Sequence, residues 1–198
     1  MRKILVALAG WYDFNWRVLE AAYKMRLPHD CYADIIVTEG YNSAQTREKA
    51  VKIAVEQCYD YILFLDGDTL VDGDTLVSLS NSLDTCGGDL ITAVYRIDPQ
   101  KQTANFAYID PLNTDPLRVK NGWCLDIENI AQGVFRIGAC GFGCVLARVA
   151  PLKKITPPFF LFTKDDNEDI YFWQKAHGKL NGYCDSQTRV GHIKRVVV

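Results

Sequence analysis

Residues 59–69 read Tyr-Asp-Tyr-Ile-Leu-Phe-Leu-Asp-Gly-Asp-Thr. The apolar run at 61–65 is rich in aromatic and branched side chains, which is typical of a strand that is buried on both faces. Asp66, Gly67 and Asp68 follow this run at once, so the predicted strand ends in an acidic pair. Because open α/β sheets bind their ligands at the carboxyl ends of the strands, this position favours a functional site.

The acidic pair has two interpretations. Asp66 and Asp68 offer hard oxygen ligands, which suit a divalent cation such as Mg²⁺ or Mn²⁺. Asp and Gly are also ordinary turn residues, and the spacing alone favours neither interpretation. Two sharper motifs are excluded. Leu70 stands where a calcium-binding EF-hand loop needs an oxygen ligand. The chain also lacks a glycine-rich phosphate-binding loop that ends in Gly-Lys-Ser or Gly-Lys-Thr.

Strand and helix patterns alternate in the residues that precede this stretch. We predict strands at 4–9, 33–37 and 61–65, and helices at 15–26 and 43–58, with Asn15 as the cap of the first helix. The apolar positions of the second helix recur with helical spacing, so one of its faces is expected to be buried. This β-α-β-α-β order predicts a parallel sheet with helices on its faces.

The second half of the chain is less regular. We predict a helix that is capped by Asp72 or Asp74 and ended by Gly87 and Gly88. Further along we expect a strand at 90–95, a hairpin or long loop at 96–129, a strand at 134–137, a glycine-rich turn at 138–143, a helix at 167–177 and an extended segment at 182–193.

The composition narrows the classes of function. A chain of 198 residues is long enough for one sizeable core, so we expect a single domain. The net charge of −2 is too small to indicate nucleic acid or an acidic membrane surface as a partner. The seven cysteines are scattered and odd in number, which favours reduced, packed thiols in a cytoplasmic protein. No uncharged run approaches the roughly 20 residues that span a bilayer.

Glu168, Asp169 and His192 are further candidates for chemistry. The two acidic residues open the last predicted helix, where the unpaired N–H groups and the macrodipole stabilise carboxylates even without a function. The functional alternative is an ionised carboxylate that takes a proton from an incoming hydroxyl. A lone histidine is commonly structural, but the imidazole of His192 would also complete an oxygen and nitrogen site for a metal, Mn²⁺ more naturally than Mg²⁺.

The glycine-rich turn also has two interpretations. Gly141 and Gly143 flank Phe142, either in a tight connection or where the backbone approaches a ligand closely. Cys140 and Cys144 are four positions apart with no second cysteine pair to support a metal site, so we assign them to packing.

Taken in order, these features resemble the GT-A fold of nucleotide-sugar glycosyltransferases, particularly their small family-2-like members. The resemblance is carried by residues 43–68, 137–147 and 167–192, which together span most of the chain. It implies an α/β fold with three layers, α/β/α, a mainly parallel central sheet and a small additional β element. It further implies one domain with two halves. The half at roughly 1–95 would bind the nucleotide, and the half at roughly 96–198 would bind the acceptor and complete the metal site.

For the metal and the acceptor, the resemblance implies five roles. Asp66, Asp68 and His192 would be the metal ligands, with Asp68 on the cation that bridges the two phosphates and Asp66 also near the ribose. Asp169 matches the carboxylate proposed as the base in inverting members. Glu168 beside it would contact the acceptor or the donor sugar.

For the donor, the resemblance implies contacts at both ends of the nucleotide. Asp66, Gly67 and Asp68 form the family's Asp-x-Asp motif, and Arg47 matches the arginine that faces the nucleotide. Backbone around Ala9 and Gly10 would line the base pocket. Members more often have a proline and a small residue after the first strand, whereas this chain has Ala9, Gly10, Trp11 and Tyr12 there, so the base pocket is expected to differ in detail.

The implied function is a metal-dependent glycosyltransferase that uses Mn²⁺ or Mg²⁺. It would move a sugar from a nucleoside-diphosphate sugar, with UDP favoured, to a hydroxyl acceptor such as a glycan. The chain is short for the fold, so the acceptor site is expected to lie open or to need a second subunit or a larger assembly. Two alternatives stay open: a phosphatase of the haloacid dehalogenase type that uses Asp66 and Asp68, and a non-catalytic subunit that binds sugar nucleotides.

Overall fold

The structure is a computed structural model that describes residues 1–10, 15–97, 102–108 and 127–193. The strands in these ranges are β1 (Arg2–Gly10), β2 (Cys31–Glu39), β3 (Tyr61–Asp66), β4 (Thr69–Leu70), β5 (Leu90–Val94), β6 (Phe106–Tyr108), β7 (Val134–Cys140), β8 (Cys144–Arg148), β9 (Gly182–Arg189) and β10 (Gly191–His192). The helices are α1 (Trp16–Lys24), α2 (Ser43–Glu56), α3 (Thr75–Cys86), α4 (Val149–Leu152) and α5 (Glu168–Ala176).

The helix ends follow the capping residues in the sequence. Asn15 caps α1 as predicted, since its side chain accepts a hydrogen bond from the backbone N–H of Arg17. Gly87 ends α3 in the left-handed conformation, with φ of 64°, which glycine adopts without steric cost. Asp74 stands at the N-cap position of α3 but makes no capping bond, because its backbone is helical and its carboxylate binds Arg26 instead.

The large sheet has the strand order β2-β1-β3-β8-β5-β9-β7-β6. Parallel pairing joins β1 to β2 and β1 to β3, as the β-α-β-α-β pattern predicts, and it also joins β5 to β9. The sequence pattern did not indicate that β8 lies antiparallel between β3 and β5. The mainly parallel α/β fold is nevertheless confirmed.

Both faces of β3 are covered, which explains its unbroken apolar sequence. Ile62 and Phe64 pack into a core with residues of α2 and α5. Tyr61, Leu63 and Leu65 pack on the other face with residues of α1 and α3. Side chains of a strand alternate between its faces, so a strand with helices on both sides needs apolar residues throughout. The three-layer arrangement follows from this.

Among the described residues, β4 and β10 form a second sheet of two strands, and it is the predicted small β element. Its antiparallel register places Gly191 opposite Leu70 and His192 opposite Thr69. The backbone N–H of Ile193 also donates to the carbonyl of Asp68 at 2.7 Å. The end of the described chain is thereby held against the acidic pair.

The predicted turn at 138–143 is shorter in the structure, because residues 138–140 belong to β7. A β-carbon on Gly138 would lie 3.1 Å from the carbonyl oxygen of Tyr108, so the absent side chain lets β6 pair closely with β7. Of the predicted loop at 96–129, the structure describes 96–97, 102–108 and 127–129, and the remainder lies outside the described residues. None of the helices in the described ranges has the length and hydropathy needed to cross a membrane.

Candidate functional site

The candidate site lies at the carboxyl end of β3, where Asp66 is the last strand residue. The backbone N–H of Asp66 donates to the carbonyl of Gly143 at 3.0 Å, and the carbonyl of Gly67 accepts from the N–H of Asn15 at 3.1 Å. These two bonds hold the chain where it leaves the sheet. The acidic pair thus lies at the carboxyl end of a buried strand, as the sequence predicts.

Asp68 and His192 are in direct contact although they are 124 positions apart. The Nε2 atom of His192 lies 2.9 Å from Oδ2 of Asp68. The Nδ1 atom lies 3.2 Å from the backbone carbonyl oxygen of Arg96. The ring is therefore held between two hydrogen-bond acceptors, the backbone carbonyl at Nδ1 and the carboxylate at Nε2. The predicted meeting of these two residues is thus found.

Arg47 binds the other three carboxylates of the predicted site. Its guanidinium donates to Glu168 at 2.6 Å, to Asp169 at 2.7 Å and to Asp66 at 2.7 Å. The Arg47 side chain is only 4% exposed, so these charge-assisted bonds form away from water. Burial alone would lower the pKa of Arg47, but the surrounding carboxylates raise it, and the guanidinium stays charged.

The Arg47 cluster is closed by a hydroxyl and by aromatic rings. The hydroxyl of Ser43, one turn earlier on α2, donates to the same Glu168 oxygen as Arg47. The guanidinium carbon lies 5.7 Å from the ring centroid of Phe142 and 6.0 Å from that of Phe160, which is cation–π distance. The rings of Phe142 and Phe160 therefore cover one side of the cluster formed by Arg47, Glu168, Asp169 and Asp66.

Asp169 is partly buried, with 17% of its side chain exposed, and this desolvation raises its pKa to about 7. The neighbouring guanidinium of Arg47 lowers this pKa, the carboxylates of Glu168 and Asp66 raise it, and a hydrogen bond from the backbone N–H of Phe142 lowers it. A carboxyl group that titrates near neutral pH can exist in both protonation states at working pH. The role of Asp169 as a base stays a prediction.

Ala9 and Gly10 lie at the same edge of the sheet as Asp66. Ala9 pairs with Thr38 on one side and with Asp66 on the other, and Gly10 pairs with Glu39. A narrow depression beside them is lined by residues that include Ala9, Thr38, Arg47 and Asp66. The structure thus brings the predicted donor residues together at one edge, while their contact with a nucleotide stays a prediction.

The predicted metal ligands divide into two groups. Asp68 and His192 face each other, whereas Asp66 accepts its hydrogen bond from Arg47. Within residues 1–10, 15–97, 102–108 and 127–193, no three His, Cys, Asp or Glu side chains are grouped so as to hold a metal ion. The described chain therefore offers two ligands, and Asp66 as a third stays a prediction.

Tyr95 and Asn105 are site residues that the sequence did not indicate. Tyr95 follows β5, is 7% exposed, and accepts a hydrogen bond from the N–H of Gly143 at 3.0 Å. Asn105 is fully buried and bonds the backbone of Tyr95 through its side chain. An aromatic residue at the end of an apolar strand is typical of the core, and Asn105 lies in the predicted loop at 96–129, so the sequence carried no signal for either residue. The turn glycines approach Tyr95, since a β-carbon on Gly141 or Gly143 would lie 2.7 Å from its atoms.

The cysteines at the site are packed, as predicted. Cys140 and Cys144 are both fully buried, and both are free thiols. Burial raises the pKa of the Cys144 thiol to about 12, so it stays protonated. These residues fill the core beneath the turn.

Comparison with known proteins identifies the fold. No protein-family model and no curated protein matches the chain. The crystal structure of A197 from STIV superposes with a TM-score of 0.69 at 20% identity, over 98% of this chain and 87% of that one. S. aureus TarS 1–349, a GT-A glycosyltransferase, superposes in its complex with UDP-GlcNAc with a TM-score of 0.58 at 16% identity. That match covers all of this chain (100%) and 60% of the TarS chain.

A complex of the same TarS fragment with UDP gives a TM-score of 0.57 at 16% identity, over 96% of this chain. The present chain spans 60% of that fragment and 37% of the longer TarS structure. At sequence identities this low, the superpositions show that the proteins share a fold. The chain therefore has the GT-A fold of nucleotide-sugar glycosyltransferases.

Proposed function

We propose that this chain is a metal-dependent glycosyltransferase that moves a sugar from a nucleoside-diphosphate sugar to a hydroxyl acceptor, such as a glycan. The observation that carries the proposal is the contact of 2.9 Å between His192 and Asp68. It joins the end of the described chain to the Asp-x-Asp segment, next to a buried carboxylate cluster. The UDP complexes of TarS make UDP the donor nucleotide to test first.

Asp68 and His192 would hold the cation. They offer one carboxylate and one imidazole, and their side chains are 47% and 21% exposed, so an ion can reach them. The hydrogen bond of Nδ1 to the Arg96 carbonyl leaves Nε2 for a ligand bond. This mixed donor set suits Mn²⁺ better than Mg²⁺. When bound, the cation would offset the charge that develops on the leaving diphosphate.

Arg47 would order the donor side of the site. Its fixed charge holds Asp66 at the end of β3 and Asp169 at the start of α5 in one arrangement. We place the nucleotide along the edge formed by Ala9, Gly10 and Asp66, with Gly67 next to it. In this proposal Arg47 acts on the nucleotide site mainly through the carboxylates that it orients.

Asp169 would be the base. As the acceptor oxygen forms its bond to the anomeric carbon, the bond from that carbon to the diphosphate breaks and its electron pair leaves with the diphosphate. The proton of the acceptor hydroxyl passes to Asp169. A positioned base of this kind contributes about 10²–10⁴ in rate. Glu168, which is held by Ser43 and Arg47, would line the sugar side.

A thermal-shift experiment with Mn²⁺ and UDP tests the proposal. Ligand at about 100 times its Kd adds about 2.7 kcal/mol to the stability of the folded state, so the expected rise in Tm is roughly 5–10 °C. Asp68→Ala is expected to abolish the part of this rise that depends on Mn²⁺. Asp74→Ala is the matched control, because Asp74 pairs with Arg26 on the surface. If none of the common nucleotides with Mn²⁺ stabilises the wild-type protein, the proposal fails.

The two alternatives make different predictions. A phosphatase of the haloacid dehalogenase type would require a different fold from the GT-A fold of this chain. A non-catalytic subunit would bind the nucleotide without transfer or hydrolysis of the donor. In that case Asp169→Asn would change stability alone. Loss of sugar transfer in Asp169→Asn, with nucleotide binding retained, would support the enzyme.

A further inference from the structure

Tyr95 lies between the Asp68–His192 pair and the turn at residues 141–143. Its ring centroid is 5.7 Å from that of His192, with the rings at 63°, which is an edge contact. Such aromatic contacts restrict the orientation of both rings. Because the imidazole of His192 packs against this buried ring, its direction toward Asp68 depends on where Tyr95 lies.

The hydroxyl of Tyr95 is the acceptor for the N–H of Gly143, at 3.0 Å. The carbonyl of Gly143 accepts from the N–H of Asp66 at 3.0 Å. The neighbouring N–H of Phe142 donates to Asp169. The same three-residue turn therefore touches Tyr95, the last residue of β3 and the candidate base.

Tyr95 is itself held firmly by Asn105. The side-chain oxygen of Asn105 accepts from the N–H of Tyr95 at 3.0 Å, and its backbone N–H donates to the Tyr95 carbonyl at 3.1 Å. The carbonyl of Asn105 accepts from the N–H of Gly141 at 2.7 Å. A satisfied, buried polar network of this kind is rigid. It connects Tyr95 to the turn a second time.

The residue after Tyr95 completes the contact with the histidine. The carbonyl of Arg96 lies 3.2 Å from Nδ1 of His192, so the imidazole meets the ring of Tyr95 and the carbonyl of Arg96 together. Residues that orient a metal-binding histidine in this way commonly set its tautomer. Here they leave Nε2 directed to Asp68.

We propose that Tyr95 is a positioning residue that couples the imidazole of His192 to the Gly141–Gly143 turn, so that the metal ligands and Asp169 are held in one arrangement. Its ring acts on His192, and its hydroxyl acts on the turn. This inference rests on the proposed metal-dependent function. The two parts of the side chain can be separated by substitution.

Tyr95→Leu removes the ring, and Tyr95→Phe removes only the hydroxyl. The measurement is Mn²⁺ binding by calorimetry in the presence of saturating UDP. Tyr95→Leu is expected to weaken Mn²⁺ binding about tenfold or more, which is usual when a residue that orients a metal ligand is lost. Tyr95→Phe should bind Mn²⁺ within about twofold of wild type. Turnover should be measured with the UDP-sugar that gives the largest rise in Tm. Tyr95→Phe should lower this turnover about tenfold, because the N–H of Gly143 in the turn beside Asp169 loses its hydrogen-bond acceptor.

Tyr59 provides matched controls at the opposite end of β3. It is 6% exposed, and its hydroxyl donates to Asp34 at 2.7 Å. Tyr59→Leu and Tyr59→Phe should lower Tm but leave Mn²⁺ binding and turnover near those of wild type. The proposal is overturned if Tyr95→Leu binds Mn²⁺ as tightly as wild type, or if Tyr59→Leu weakens binding equally. If Tyr95→Leu does not fold, turnover is compared between Tyr95→Phe and Tyr59→Phe. Equal turnover in these two variants overturns the proposal.

The ring nitrogens of ¹⁵N-labelled histidine provide a readout that does not need the metal. The chain has three histidines, and His192→Gln identifies the signal of interest. In wild type, both ring nitrogens of His192 should show the shifts of hydrogen-bonded nitrogens, one at Arg96 and one at Asp68, and in Tyr95→Leu these shifts should move toward those of a solvent-exposed imidazole. If wild type binds no Mn²⁺ with UDP, the proposed function fails, and the ring-nitrogen shifts still decide the role of Tyr95. Unchanged shifts in a folded Tyr95→Leu overturn that role.

Discussion

Asp169 shows how far a single side chain depends on its surroundings. Asp66 and Asp68 keep part of their carboxylates exposed, at 30% and 47%. Asp169 is less exposed, at 17%, and the cost of moving an ionised carboxylate out of water raises its pKa to about 7. Asp169 is therefore expected to change its charge near neutral pH.

The rate of sugar transfer should accordingly depend on pH through Asp169. A base works only when it is ionised, so the rate is expected to rise as pH increases through about 7 and to level off above about 8. The effect on stability has the opposite sign. The folded pKa lies above the unfolded value of about 3.9, so the contribution of this group is greatest below that value and is lost as pH rises through about 7.

The measurement is kcat/KM for transfer as a function of pH. The groups that face Asp169 are Arg47, Glu168 and Asp66, and Arg47 is charged throughout the range. Asp74→Asn, on the surface, should keep the wild-type profile. A flat profile between about pH 6 and 8 would exclude Asp169 as the base.

At the scale of single elements, the start of α5 is decisive for the site. Asn167 caps this helix, since its side-chain oxygen accepts from the N–H of Ile170 at 3.0 Å. Glu168 and Asp169 are the next two residues, so the cap determines where the first turn directs its carboxylates. The structural interpretation of these acidic residues is confirmed by this position in the first turn, and the functional one stays a prediction.

We expect Asn167→Ala to lower the free energy of unfolding by about 1 kcal/mol, because the helix loses its cap. It should also slow transfer, since Asp169 lies within the loosened turn. Asn15→Ala is the matched control on α1, where the side chain accepts from Arg17 N–H at 3.0 Å. Urea unfolding and initial rates measure the two effects. The expectation is wrong if both variants change the rate by the same factor.

At the scale of the whole molecule, Arg47 joins three distant parts of the chain. It lies on α2 and binds the end of β3 and the start of α5, and its partner Glu168 is 121 positions away. The ion pairs of Arg2 and Arg148 with Asp84 are more exposed and involve other residues. The buried cluster is thus the main polar connection between these elements in the described residues.

Arg47→Met is expected to destabilise the fold by about 3–5 kcal/mol, because it leaves buried carboxylates without a counter-charge. Arg2→Met should cost only about 0–1 kcal/mol, since that ion pair is solvated. Denaturant unfolding measures both values. The deficit of Arg47→Met should shrink at low pH, where the carboxylates are protonated. Equal stability of the two variants would contradict this role for Arg47.

The sequence predicted the elements better than it predicted their contacts. The bounds of β3, α2 and α5 lie within two residues of the predicted ones, because apolar periodicity and capping residues act over a few neighbouring positions. The insertion of β8 and the close approach of Gly138 to β6 were missed. Both depend on pairing between strands, which local patterns do not encode.

The sequence by itself determined that a buried strand ends in two aspartates at the edge of an α/β sheet, and that Glu168 and Asp169 open a helix. These features are readable because a strand buried on both faces and a capped helix each show a pattern within a few consecutive residues. Only the tertiary structure decided that Arg47 gathers Asp66, Glu168 and Asp169, and that Tyr95 stands beside His192. Those contacts join residues separated by up to 122 positions. They exist because packing of the sheet and helices brings strand and helix ends to one edge.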